Sequence, residues 1–153
     1  MMKFLKATML LAVIAATLTS CDKELTNTEK LTGTWKMTAS TVDPAFVDIS
    51  TGTTYTDVYA KMDECDKDDL LIFEAAGGFK SDEGTTKCDP SDTQTSTGTW
   101  VFNTTETTIS ATSDGSTEDY KIVSLTETTM TVTNVQTFGG LANYTFTLTF
   151  AKQ

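Results

Sequence analysis

Threonine alternates with large apolar side chains near the C-terminus of the chain. Between residues 143 and 151, one set of alternate positions holds Tyr144, Phe146, Leu148 and Phe150, and the three positions between these residues hold threonine. Successive side chains of a β-strand project to opposite faces of the sheet. The alternation therefore predicts a strand with one buried face and one solvated face.

The same pattern recurs along the chain and predicts eight strands. They fall at residues 33–40, 69–75, 78–83, 97–103, 107–112, 118–125, 129–135 and 143–151. Turn-forming pairs such as Gly77-Gly78 and Asp114-Gly115 lie between them. Eight short strands joined mostly by hairpins predict an all-β, antiparallel up-and-down barrel, because closure removes exposed edge strands. A two-sheet antiparallel sandwich is the alternative fold.

Residues 41–69 do not follow this alternating pattern, which predicts a long loop after the first strand. A short helix is expected around 57–62, where Val58 and Met62 would share one face. A loop of this length in a small domain serves either as a lid or binding element or as plain irregular structure.

The N-terminus has the three-part layout of a secretory signal peptide. Lys3 and Lys6 precede an apolar run over residues 9–16, which is too short to span a bilayer as a helix. The following Leu18-Thr19-Ser20-Cys21 resembles the lipobox of bacterial lipoproteins. That resemblance implies cleavage after residue 20 and several acyl chains on Cys21, which anchor the protein to a membrane. An ordinary secretory signal is the alternative.

These features divide the chain into three parts. Residues 1–20 are the expected lipoprotein signal peptide, residues 21–30 a polar tether, and residues 31–153 a single β-barrel domain. The expected location is the outer membrane, with the domain either on the cell surface or on the periplasmic face. The membrane partner is reached through the lipid on Cys21.

Charge and missing residue types exclude several functions. The chain has 11 lysines, no arginine and no histidine, and its net charge is −10. Loss of Lys3 and Lys6 with the signal peptide leaves nine lysines against 21 acids, which gives −12. Such a surface repels nucleic acid. Without histidine there is no Ser-His-Asp or Cys-His catalysis, so the sequence favours a protein that is not an enzyme.

Two cysteines remain beside Cys21. In an oxidising compartment Cys65 and Cys88 are expected to form a disulfide, which would stabilise the fold by about 3 kcal/mol in the chain-entropy model. A reactive thiol pair is the alternative. Acidic residues crowd both cysteines, and Asp63, Asp66 and Asp89 are candidate calcium ligands because calcium prefers oxygen donors. Runs of acids that are simply solvated are the alternative, and no other cofactor is expected.

Several segments together resemble a known family. They are LTGTWKM, YAKMDECDKDDLLIFEAAGGF and EGTTKCDPSDTQTSTGTW, which with the lipobox and the last strand are similar to lipocalin-like domain lipoproteins of Gram-negative gut anaerobes. The resemblance implies a small barrel shaped like a lipocalin. Gly33-Thr34-Trp35 resembles the Gly-x-Trp element that opens the first lipocalin strand. In lipocalins an arginine packs across that tryptophan, and this chain contains none.

The expected function is binding of a small apolar ligand inside the barrel. An eight-stranded barrel is either filled by its own side chains or just wide enough for one small ligand. The candidate ligand-binding residues are Phe73, Phe79, Tyr120, Tyr144 and Phe146. A protein-interaction module with a filled core, which would meet an envelope protein, is the alternative function. Trp35 and Trp100 are expected to plug one end of the barrel.

Overall fold

Nine antiparallel strands form one sheet in the part of the chain that the computed structural model describes, residues 23–48, 50–138 and 142–153. The strands are β1 (Gly33–Val47), β2 (Thr54–Asp57), β3 (Leu70–Phe73), β4 (Gly78–Asp82), β5 (Thr95–Phe102), β6 (Thr108–Ser113), β7 (Ser116–Leu125), β8 (Thr129–Phe138) and β9 (Ala142–Lys152). The helices are α1 (Asn27–Leu31), α2 (Glu64–Lys67) and a 3-10 turn over Tyr59–Lys61. The predicted signal peptide and Cys21 lie outside the described residues.

Pairing of β1 with β9 closes the sheet into a barrel. Their ladder runs from Trp35 opposite Lys152 to Asp43 opposite Thr145. On its other edge β1 pairs first with β3 and then with β2. The closed barrel therefore consists of eight strands, β1 and β3 to β9, and β2 is an additional short strand. This confirms the predicted eight-stranded antiparallel barrel.

The long loop predicted after the first strand is shorter than expected. β1 continues to Val47 and pairs with β2, where Phe46 lies opposite Tyr55 and the two rings stack 6.0 Å apart. Pro44 falls where the β1–β2 register is irregular, so a residue without an N–H donor is tolerated there. The expected helix over 57–62 is only the 3-10 turn.

Helix α1 occupies part of the segment predicted as a tether. Thr26 and Glu29 form a capping box at its start, which pairs backbone N–H groups that a helix N-terminus otherwise leaves open. At its end Leu31 is fully buried, and its carbonyl accepts a hydrogen bond from Trp35 Nε1 at 2.7 Å. Residues 27–30 are thus helical and packed on the barrel. No described helix is long and apolar enough to cross a membrane.

The barrel has two unlike ends. We call the end covered by α1 the closed end; it carries the turns at residues 74–77, 103–107 and 126–128. Helix α1 is tied to this end by hydrogen bonds from Asn27 Nδ2 to Glu106 and from Lys152 Nζ to the Lys30 carbonyl. We call the opposite end the mouth; it carries the connections at residues 48–69, 83–94 and 114–115.

Both tryptophans are buried near the closed end, as expected. Trp35 is fully buried, and Trp100 donates a hydrogen bond from Nε1 to the carbonyl of Glu74 at 3.0 Å. The Lys152 ammonium lies 5.2 Å from the Trp35 ring centroid. A lysine therefore lies over this tryptophan, and a cation above an aromatic ring is attracted by it. Gly33 leaves room for this lysine, because a Cβ there would lie 2.5 Å from Lys152 Cε.

Candidate functional site

A cavity of about 220 Å³ lies inside the barrel. Three of the five predicted ligand-binding residues line it, namely Phe73, Phe79 and Tyr120. The remaining lining residues, which were not among those five, are Met37, Leu71, Ile109, Ala111, Met130, Val132, Leu148 and Phe150. All of these are apolar, so the cavity is suited to an apolar guest.

A small residue on β6 leaves part of this space. Phe79 of β4 lies opposite Gly98 of β5, which in turn lies opposite Ser113 of β6. Gly98 permits the close approach of β6, because a Cβ there would clash with the backbone carbonyl of Thr112. Ala111, two residues before Ser113 and therefore on the same inward face, is part of the cavity lining. Because Ala111 carries only a methyl group, the aromatic rings of Phe79 and Tyr120 do not fill the barrel between them.

Tyr144 and Phe146, the other two predicted binding residues, do not line the cavity. They belong to a group of rings at the mouth, which we call the mouth aromatic cluster: Phe46, Tyr55, Phe138, Tyr144 and Phe146. The Phe46 ring centroid is 4.8 Å from that of Tyr144 and 5.4 Å from that of Phe138. Alternation along β9 correctly placed Tyr144 and Phe146 on the face of Leu148 and Phe150, but too far along the barrel axis to reach the cavity.

A smaller space of about 160 Å³ adjoins the cavity toward the mouth, and we call it the vestibule. The two spaces share Phe79, Ala111 and Tyr120, and the vestibule adds polar residues on either side of the β6–β7 turn: Ser113, Ser116 and Glu118. The site thus changes from apolar in the barrel interior to polar near the β6–β7 turn.

Tyr120 and Glu118 form the polar contact at the junction of these two spaces. The Tyr120 hydroxyl donates a hydrogen bond to the Glu118 carboxylate at 2.5 Å. Burial raises the pKa of Tyr120 well above its usual range, and the hydrogen bond to Glu118 and the charge of Glu118 raise the pKa further. The phenol therefore stays protonated at neutral pH and remains a donor.

A side-chain amide completes the barrel wall beside the mouth. The β7–β8 ladder begins at Lys121 opposite Thr133, and the described residues show no pairing between these strands closer to the mouth. There Asn134, which is 7% exposed, donates from Nδ2 to the backbone carbonyl of Asp119 at 3.0 Å. The amide replaces backbone pairing at this point of the wall.

The predicted disulfide is present at the mouth. Cys65 of α2 is bonded to Cys88, with Cα atoms 5.3 Å apart, so it joins the connections at 48–69 and 83–94. The Asp68 carboxylate links the same two connections, since it accepts hydrogen bonds from the backbone N–H groups of Thr85 and Thr86 at 3.0 Å. The two mouth connections are therefore held together covalently and by hydrogen bonds.

The candidate calcium ligands Asp63, Asp66 and Asp89 are not brought together. Among the described residues, the potential metal-ligand atoms that converge within 4.8 Å belong to Cys65, Asp66 and Cys88. Both sulfur atoms are in the disulfide, which leaves a single carboxylate, whereas calcium takes about six to eight oxygen ligands. Asp89 instead accepts hydrogen bonds from the N–H and hydroxyl groups of Ser91, and these lower the pKa of Asp89.

The ionised form of Asp69 is disfavoured by its surroundings in the acidic mouth connections. Burial raises its pKa to about 6, and the charges of the nearby carboxylates add to this effect; they are Glu83, Asp66, Asp68 and Asp82. Its Oδ1 atom is buried and has no hydrogen-bond partner among the described residues. The mouth therefore carries an electrostatic penalty at neutral pH.

Comparison with known proteins identifies the family. Residues 31–132 match the family model of the lipocalin-like domain. No curated protein sequence matches the chain. Among solved structures, bovine odorant binding protein in complex with a selenium-containing odorant is 16% identical, with 86% of this chain and 76% of that chain covered and a TM-score of 0.46.

Two further structures show a similar level of likeness. Bovine odorant binding protein in complex with undecanal is 15% identical, with 86% of this chain and 77% of that chain covered and a TM-score of 0.46. Lobster apocrustacyanin A1 is 12% identical, with 81% and 61% covered and a TM-score of 0.46. The family match spans two thirds of the sequence, from the end of α1 into β8, and the chain belongs to the lipocalin-like domain family.

Proposed function

We propose that the protein binds a small apolar molecule inside the barrel and has no catalytic activity. The observation that carries this proposal is the apolar cavity of about 220 Å³. An engineered cavity of about 150 Å³ lined by similar side chains binds benzene. Pockets for drug-sized ligands start at about 300 Å³. The ligand of this site is therefore small.

The cavity argues against the alternative of an interaction module with a filled core. A filled barrel would place a large side chain where Ala111 stands. Enclosed apolar space removes van der Waals contacts from its lining and so lowers stability. An apolar guest restores those contacts, which gives the open space a function.

The ligand-binding domain is held at the outer membrane by a lipid on Cys21. Support for this part of the proposal comes from the sequence Leu18-Thr19-Ser20-Cys21 and from the resemblance to lipoproteins of Gram-negative gut anaerobes. Mass spectrometry of the N-terminal peptide tests it. We expect a diacylglycerol-modified Cys21 in the native chain and no lipid in Cys21→Ser; an unmodified cysteine in the native chain would contradict the anchor.

Calorimetric titration with octanol tests ligand binding. We expect saturable binding to the domain and a loss of affinity of about tenfold or more in Ala111→Leu, because the added side chain occupies the cavity. Ala39→Leu is the matched control, since it makes the same change at an exposed position of β1 and should bind octanol normally. Equal affinity in both variants would show that octanol binds elsewhere, and no binding in the native domain would contradict the proposal.

A further inference from the structure

We propose that the ligand is amphipathic, with an apolar tail in the cavity and a protonated primary amine in the vestibule that is bound by Glu118. This inference rests on the proposed function and specifies the ligand class. Its basis is the junction of the two spaces at Phe79, Ala111 and Tyr120. A molecule that extends from the cavity through this junction enters a space that the Glu118 carboxylate lines.

Glu118 has capacity to accept hydrogen bonds from a ligand. An ionised carboxylate has about four acceptor positions, and the Tyr120 hydroxyl occupies one of them. None of the four ion pairs in the described part of the chain includes Glu118. An ammonium group has three donors and would supply both the hydrogen bonds and the missing charge partner.

The other vestibule residues favour the same head group. Ser113 and Ser116 provide hydroxyl oxygens, which can accept hydrogen bonds from an amine. The vestibule lining contains no lysine, and the chain contains no arginine. A carboxylate or phosphate head group would therefore face Glu118 without any compensating cation, which disfavours anionic ligands.

The charge around the mouth also favours a cationic ligand. The three mouth connections, residues 48–69, 83–94 and 114–115, carry eleven acidic residues and three lysines. The turns at the closed end, residues 74–77, 103–107 and 126–128, carry three acidic residues. A concentration of one sign of charge around an opening raises the local concentration of ions of the opposite sign. A cationic ligand would be drawn toward the mouth.

Titration calorimetry with three ligands that share one tail tests the proposal: octylamine, octanol and octanoate. We expect octylamine to bind about fivefold more tightly than octanol, the ratio expected for a partly exposed ion pair, and octanoate to bind most weakly. Glu118→Gln should remove the preference for the amine over octanol. Because Glu118 is exposed, this variant should fold normally, which thermal unfolding checks.

Asp114→Asn is the matched control. It removes one carboxylate from the same hairpin turn but outside the vestibule lining, and asparagine tolerates the positive φ of 51° at that position. The control should keep the amine preference. If octanol binds but octylamine is no tighter, or if both variants lose the preference equally, Glu118 does not recognise an amine and only this inference is overturned. If none of the three ligands binds, the proposed function itself fails.

Discussion

The two ends of the barrel are built in different ways. At the closed end, helix α1 buries Leu31 and Trp35 completely, and Lys152 joins the helix to β9. At the mouth, the connections are held by a disulfide and by hydrogen bonds to Asp68, and Phe138 of the mouth aromatic cluster is 44% exposed. Complete burial of large apolar side chains distinguishes the closed end, and the disulfide and the hydrogen bonds to Asp68 distinguish the mouth, where the aromatic rings are only partly buried.

This difference separates stability from binding. Burial of large apolar side chains is the main favourable contribution to folding, and at the closed end it involves residues that a ligand does not touch. Cross-links at the mouth fix the shape of the connections without filling the barrel. The closed end therefore stabilises the domain through residues outside the cavity lining, whereas Phe73, Ile109, Met130, Val132 and Phe150 belong both to the buried core and to that lining.

The largest expected effect comes from removing the central residue of the closed end. Trp35→Ala should lower the free energy of unfolding by about 3–5 kcal/mol, because it creates a large cavity in a fully buried place. Phe138→Ala removes an aromatic ring at the mouth and should lower it by less than about 1 kcal/mol. Urea unfolding measures both, and similar losses would show that the two ends contribute alike.

Removal of the disulfide is the corresponding test of the mouth. The double variant Cys65→Ser, Cys88→Ser should lose about 3 kcal/mol of unfolding free energy, because the unfolded chain gains the freedom of a released loop. Denaturation of the native protein with and without a reductant provides the same comparison without mutation. A loss below about 1 kcal/mol would mean that the mouth connections are held sufficiently by Asp68 and the strands.

Substitution of Lys152 tests whether its ammonium group stabilises the closed end. Lys152→Met keeps an unbranched side chain over Trp35 but removes the donor to the Lys30 carbonyl, so we expect a loss of about 1–2 kcal/mol. Lys80→Met is the control, since it breaks only the ion pair with Glu74 on the surface and should change stability by less than about 1 kcal/mol. Thermal unfolding measures both variants, and equal losses of stability in the two would contradict the assigned role of Lys152.

Asp69 gives the mouth a small pH dependence. Its pKa of about 6 in the folded chain exceeds the value of about 4 in an unfolded chain, so the folded state binds a proton that the unfolded state releases between these values. This group therefore makes the domain more stable as the pH falls from neutrality toward about 4. Asp69→Asn should raise the unfolding free energy at neutral pH by about 1 kcal/mol and reduce this pH dependence.

The exposed Asp66→Asn is the control for that measurement. It removes a neighbouring charge, so it should give a smaller gain in stability and leave the pH dependence of Asp69 in place. Urea unfolding between neutral pH and about pH 4.5 distinguishes the two variants. A native pH profile without any rise on acidification, unchanged in Asp69→Asn, would contradict the raised pKa.

Much of the barrel could be predicted because alternation reports the face of a strand directly. The pattern correctly assigned Tyr144, Phe146, Leu148 and Phe150 to one face of β9. It could not predict their depth along the barrel axis, which depends on strand register and tilt. For this reason Leu148 was not among the predicted binding residues although it lines the cavity, and Tyr144 and Phe146 were among them although they lie outside the cavity lining.

Other differences have equally specific causes. The prediction ended the first strand at residue 40, because the alternating pattern stops there, whereas β1 continues to Val47 with an irregular register toward β2. Cysteine pairing was predictable since only Cys65 and Cys88 remained available. The candidate calcium ligands were chosen by their proximity to those cysteines in sequence, which does not determine where carboxylate oxygens point. Nothing in the sequence around Lys152, at the end of a strand, indicated that its side chain lies over Trp35.

The central claim is that a small apolar molecule enters this cavity, and methyl NMR of labelled methionines tests it most directly. Met37 and Met130 line the cavity, while Met62 lies in a mouth connection. Titration with octanol should shift the methyl signals of Met37 and Met130 in a saturable way and leave that of Met62 nearly unchanged. Unchanged signals from Met37 and Met130, or equal shifts of all three, would contradict a binding site inside the barrel.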